Sequence, residues 1–94
     1  MTWTITFDPT KRERVRRERG IDFADAALVF DGETFTFDDR RRDYGERRRI
    51  TAGFLAGRMV IVVWVERVKA RHVVSMRKAN EREIKAYRQQ FEEG

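Results

Sequence analysis

Between Arg58 and Glu66 the chain runs Met59-Val60-Ile61-Val62-Val63-Trp64-Val65, apolar without a break and mostly β-branched. Branching at Cβ stiffens the side chain, works against a helix and suits a pleated strand. A strand with no polar alternation has no side to show to water. Arg58–Glu66 is therefore predicted to be the central strand of a sheet covered on both faces. The run falls far short of the ~20 apolar residues of a membrane-spanning helix.

The flanking segments have the patterns to build around it. Trp3-Thr4-Ile5-Thr6-Phe7 and Glu33-Thr34-Phe35-Thr36-Phe37 alternate apolar and polar residues, the mark of half-buried strands. Arg47–Gly53 is a third strand, with Arg48, Ile50 and Ala52 on one face and Arg47, Arg49 and Thr51 on the other. A turn over Phe54–Gly57 joins it to the central strand. After a turn at Val68–Ala70, Arg71–Arg77 makes the fifth. Asp8 as N-cap, with Pro9 in the first position, opens a helix through Arg19 that is anchored by Val15 and stopped by Gly20. Asp22 caps a second helix with the stripe Phe23, Ala26, Ala27 and Phe30, ended by Asp31-Gly32. Asp38–Gly45 is a polar loop. Asn80, with Glu83 three residues on, is a capping box for a last helix that sets Ile84, Tyr87, Arg88 and Phe91 on one face. The order β-α-α-β-β-β-β-α predicts an α+β fold: a small, antiparallel-rich sheet with two N-terminal helices and one C-terminal helix, all packed on one side of it. With 94 residues, a single domain over 1–94 is expected.

The formal net charge is +5 and the isoelectric point about 10.2. Most of the basic residues lie in three stretches, Lys11–Arg19, Arg40–Arg49 and Arg67–Lys85. Such clustering points to a polyanionic partner, nucleic acid or an acidic protein. There is no cysteine, which rules out disulfides and thiolate metal sites and fits a reducing compartment. Met1-Thr2-Trp3-Thr4 does not have the form of a signal peptide, so a cytoplasmic location with no membrane partner is expected.

There is no glycine-rich phosphate loop, nucleophile elbow or metal-ligand spacing, and no cofactor is expected. Asp38, Asp39 and Asp43 read as a solvated acidic loop. The remaining candidates form a constellation. His72, Ser75, Arg77 and Lys78 lie along the fifth strand and lead into a helix N-terminus, a place where anion-binding donors gather. Arg48 is on a nearby strand and Arg67 ends the central one. Guanidinium forks suit phosphate. Cleaving RNA without a metal requires a group to take the 2′-hydroxyl proton, a group to protonate the leaving 5′-oxygen, and cations to offset charge on the phosphorane-like transition state. Arg77, Arg67 and Lys78 are the candidate cations, and His72, Glu46 and Tyr87 the candidate proton carriers. Lys11, Arg12, Arg16, Arg19 and Arg48 are candidates for holding RNA, with Arg12, Arg16 and Arg19 spaced as a ridge on the first helix. Each residue also has a plainer reading: His72 alternates with Val74 and Met76 and fits a packed face, Arg77 fits a surface salt bridge, and the first helix fits a solvated surface.

The segments Trp3-x-x-x-Phe7-Asp8-Pro9-x-Lys11 and Gly20-Ile21-x-Phe23-x-x-Ala26-x-x-Val29-Phe30-Asp31 resemble the start of BrnT toxins. Gly45-Glu46-Arg47-Arg48, Ile50-Thr51-x-Gly53 and Gly57-Arg58-x-Val60-x-Val62-Val63 continue the resemblance in register. Glu66-Arg67, Val74-Ser75-Met76-Arg77-Lys78-Ala79, Glu83 and Tyr87 complete it over nearly the whole chain. The resemblance implies a fold similar to RelE and ParE toxins and a metal-independent endoribonuclease. It also implies a BrnA-like antitoxin that binds DNA, so that the toxin meets DNA only through that complex. The chain departs from the family pattern at Val15, where Asn is usual, and at Glu18-Arg19, where Lys-His is usual. It departs again at Val65, where Thr is usual, and at His72, where Arg is common. Arg19 keeps a charge but is no base.

Composition leaves three functions open: a ribonuclease toxin, a non-catalytic basic binding module, and a co-repressor subunit of an operator-binding complex.

Overall fold

The computed structural model describes residues 3–92, so that Met1 and Thr2 of the predicted N-terminal pattern lie outside it. The elements are β1 (Thr4–Phe7), α1 (Pro9–Arg19), a 3-10 turn (Phe23–Asp25), α2 (Ala26–Asp31), β2 (Phe35–Asp38), β3 (Arg48–Leu55), β4 (Arg58–Arg67), β5 (Ala70–Lys78) and α3 (Glu81–Glu92). They form an α+β fold in the predicted order. The sheet runs β1-β5-β4-β3-β2, with β1 parallel to β5 and every other pair antiparallel. The apolar run of β4 is central, and all seven residues from Met59 to Val65 are buried.

Strand alternation sorts the core into two layers. Val60, Val62, Trp64, Val73 and Met76 join Val15, Ile21, Phe23, Ala26 and Val29 in one cluster. Phe54, on the opposite face from Gly53, meets Phe91 of α3 at 4.9 Å between ring centroids, and Phe35 and Phe37 meet Tyr87. The helices therefore do not all lie on one side: α2 covers one face and α3 the other. The reason is the central strand itself, whose apolar residues point both ways and need two covers.

Local differences from expectation have local causes. The second helix buries Phe23, Ala26 and Val29, while Ala27 is exposed. Its first turn is 3-10, with three residues per turn, so the buried stripe advances by threes. Phe54 and Leu55 belong to β3, and the hairpin closes in two residues, Ala56 (φ 51°) and Gly57 (φ 77°), the left-handed pair that a tight hairpin needs. The β4–β5 turn is likewise shorter than Val68–Ala70, with Ala70 already paired to Arg67.

Gly53 has a packing reason to be glycine. A Cβ there would lie 2.5 Å from Cγ1 of Val29, which is fully buried, and 3.3 Å from Cγ2 of Thr34. Gly53→Ala should cost about 1–3 kcal/mol by overpacking, read as a lower midpoint of urea unfolding. An unchanged midpoint would mean that α2 shifts freely.

Candidate active site

The α3 face of the sheet is only partly covered. Beyond α3 lies an open groove of about 630 Å³. Its floor is Ile50, Ile61, Val63, Val74 and Ser75, and its rim carries Lys11, Arg48, Arg40, Arg41, Arg77 and Tyr87 together with Asp38, Asp39 and Glu83. Strand register explains why these meet. Ile50 pairs with Val63 and Val63 with Ser75, while Ile61 pairs with Arg77. Val74 is the extra residue at the irregularity between Val63 and Trp64.

Arg77 leaves the sheet beside the first turn of α3. Its Nη1 and Nη2 donate to the two carboxylate oxygens of Glu83, each at 2.7 Å. That pairing raises the Arg77 pKa and holds the Glu83 carboxyl below its ordinary value. The predicted capping box is formed in full: Asn80 Oδ1 accepts from the Glu83 amide at 2.8 Å, and Glu83 Oε1 accepts from the Asn80 amide at 3.0 Å.

Arg41 makes a similar fork with Asp39, donating at 2.8 and 2.7 Å. Asp38 is held by Arg47, Arg40 and Arg49. Asp38 and Asp39 are thus not solvated as the sequence suggested, whereas Asp43 is exposed and accepts from the Gly45 amide at 2.9 Å. Asp39 is buried, and the Arg41 hydrogen bonds lower its pKa to about 2. The cause is the arginine-rich sequence around it, which offers Asp39 the fork of Arg41 and Asp38 that of Arg47.

Two cations of the groove are different. Among the described residues no carboxylate lies within salt-bridge distance of Lys11 or Arg48. Arg48 stacks on the Tyr44 ring at 4.0 Å, and its Nε–H is buried without an acceptor. Lys11 is half-buried, and its pKa is lowered by burial and by the neighbouring Arg14, Arg48 and Arg19.

Of the sequence-predicted candidates, Arg77, Tyr87, Lys11, Arg48 and Ser75 therefore meet in one groove, and the others lie outside it. His72 is on the same face as Arg48, two strands away across Val65, about 10 Å by strand spacing. Its Nδ1 is 2.8 Å from the Thr6 hydroxyl. Glu46 and Arg67 face each other at 3.9 Å beyond the end of the groove. Lys78 is exposed beside Gly20, Leu55 and Arg58 on another surface. On α1, Arg12 forks onto Asp22, Arg16 reaches Glu13 at 3.1 Å, and Arg19 donates to the Met76 carbonyl at 3.2 Å. The ridge is thus occupied by contacts within the protein. Sequence reading missed Arg40 and Arg41 as groove residues. Their only signal was a place in a basic stretch, and that stretch also supplies pure ion pairs.

The forks make a pH prediction. Asp39 and Asp22 both have folded pKa values of about 2, against 3.8 ordinarily. A depressed folded pKa means that the unfolded state binds protons first as pH falls. The stability from these carboxylates is present above 3.8 and drains away toward about 2. Melting temperature should fall through that window, and less steeply in Asp39→Asn. An equal slope in that variant would remove Asp39 as a source.

Among the described residues there is no group of three metal-ligating side chains and no helix long and apolar enough to cross a membrane. The family model described as the ribonuclease toxin BrnT of type II toxin–antitoxin systems matches residues 7–83. None of the curated proteins matches the chain.

Proposed function

The chain belongs to the BrnT family of ribonuclease toxins of type II toxin–antitoxin systems, and from that premise we propose that the groove between α1, the sheet and α3 is where RNA is cut. The observation that carries this reading is the pair Lys11 and Arg48, two groove cations without a carboxylate, one of them with a buried N–H that lacks an acceptor. Cations that no carboxylate neutralises are free to offset the charge of a phosphate.

RNA supplies its own nucleophile. The 2′-oxygen bonds to phosphorus as its proton leaves to a base, the P–O5′ bond breaks, and the 5′-oxygen takes a proton. The products are a 2′,3′-cyclic phosphate and a free 5′-hydroxyl. Lys11 is the base in this reading, because its lowered pKa increases the fraction that can accept a proton. The Tyr87 phenol donates to the leaving oxygen. Arg48 and Arg77 offset charge on the equatorial oxygens. His72, Glu46, Arg67 and Lys78 lie outside the groove and take no part in the chemical step. The partner is a BrnA-like antitoxin, and the chain reaches DNA only through that complex.

The test is digestion of purified RNA by the purified chain in EDTA, with and without the antitoxin. Cleavage that survives chelation, leaves cyclic phosphate ends and stops when the antitoxin is added is the expected result. Cleavage that needs added Mg²⁺ would overturn the mechanism. Intact RNA in every condition would leave a non-catalytic binding or co-repressor module.

A further inference from the structure

We infer that Glu83 is a positioning residue for the ribonuclease reaction, fixing the Arg77 guanidinium so that its remaining edge faces phosphate. The inference rests on the groove being the active site.

A guanidinium has two edges that can each grip two oxygens. Glu83 occupies the edge formed by Nη1 and Nη2, with both distances at 2.7 Å. Nη1 also leans toward the Lys78 carbonyl at 3.4 Å. The Nε–H and the second Nη2 proton have no acceptor among the described residues, and together they form the other edge. Arg77 is thereby both held and still able to bind an anion. Without the carboxylate, its long side chain would sample several rotamers and lose the plane that a phosphate needs.

Glu83 is itself well fixed. Its carboxylate is mostly buried, with 18% of the side chain exposed, and it closes the capping box with the Asn80 amide. One carboxylate thus ties the end of β5 to the start of α3. The nearby Arg41, already forked to Asp39, repels Arg77 and leaves Glu83 as the anion that holds it. Tyr87 is one helical turn beyond Glu83 and lines the same groove, so the tie also sets the approach of α3 and its phenol.

Glu83→Gln separates the two roles, because glutamine still completes a capping box but cannot pair as an anion. The expected result is a variant with native-like melting, an RNA KM close to that of the unaltered protein and kcat lowered about 10- to 100-fold, the cost of a misplaced catalytic group. Asn80→Ala is the control for the cap: it should lower the melting temperature and leave kcat alone. A second readout uses guanidinium chloride below denaturing concentration. Free guanidinium should restore part of the cleavage lost in Arg77→Ala and restore none in Arg77→Ala with Glu83→Gln, where nothing holds it. If Glu83→Gln fails to fold, Glu83→Asp carries the test, since it keeps the charge on a shorter reach: reduced kcat in a folded protein supports the role. A folded Glu83 variant cutting at full kcat, or equal rescue in both backgrounds, overturns it. Arg77→Ala cutting at full rate would instead overturn the reading of the groove on which this inference rests.

Discussion

Arg77→Ala is expected to fold and to cut RNA about a hundredfold more slowly, a loss of ~3 kcal/mol of transition-state stabilisation. The size follows from where charge develops. In the ground state the phosphodiester carries one negative charge, and in the phosphorane-like transition state more of it lies on the equatorial oxygens. A fixed donor aimed there binds the second state better than the first, so its loss should fall on kcat. Arg77 is partly buried and held by Glu83, so it requires little reorganisation during the reaction. The fold should survive because the core of β5 is Val73 and Met76, both fully buried, and neither depends on the guanidinium. Arg77→Lys is the sharper variant: it keeps the charge but loses the planar fork, and should recover only part of the rate. Melting curves and single-turnover cleavage check both. A folded Arg77→Ala protein with undiminished rate would take Arg77 out of the mechanism, and an unfolded one would make its role structural.

The fold was legible wherever one local rule decided the outcome. The β-branched run fixed β4 at the centre, Asp8-Pro9 and Gly20 marked both ends of α1, and Asn80 with Glu83 marked the start of α3. The side on which each helix packs was not legible, because that depends on strand order and on which face of β3 meets Val29 or Phe91. The candidate site divides along the same line. That Arg77 and Tyr87 share the groove follows from local rules: the capping box starts α3 directly after β5, Glu83 in its first turn holds Arg77, and Tyr87 is one helical turn beyond Glu83. Arg12, Arg16, Arg41 and Arg48 look alike in sequence, since each is an arginine in a basic stretch. Only the fold reveals that Asp22 takes Arg12 and Arg16, that Asp39 takes Arg41, and that Arg48 is left over. His72 drew notice as the sole histidine, but its register opposite Thr6 places it against the edge strand.

Lys11→Arg should reduce cleavage by about 10²- to 10⁴-fold, the usual worth of a general base, and should do so without weakening RNA binding. Arginine keeps the positive charge beside the phosphate but cannot release a proton at any working pH. In the unaltered protein, burial and the nearby Arg14, Arg48 and Arg19 all disfavour the ammonium form of Lys11. The sign follows directly: the base-competent fraction grows as pH rises, so kcat/KM should climb with pH along a limb centred below the ordinary lysine value of 10.5. Removing a neighbouring charge moves that limb. Arg14→Gln, an exposed change one turn along α1, should shift it upward and slow cleavage at neutral pH while leaving the plateau at high pH intact. A lysine acting only as a phosphate contact would behave otherwise: Lys11→Arg would cut well, and Lys11→Met would raise KM and flatten the salt dependence by about 0.7 in log–log slope on single-stranded RNA. A pH–rate profile of the three variants beside the unaltered chain separates these outcomes, and an active Lys11→Arg enzyme with an unchanged profile would move the base to another group of the groove.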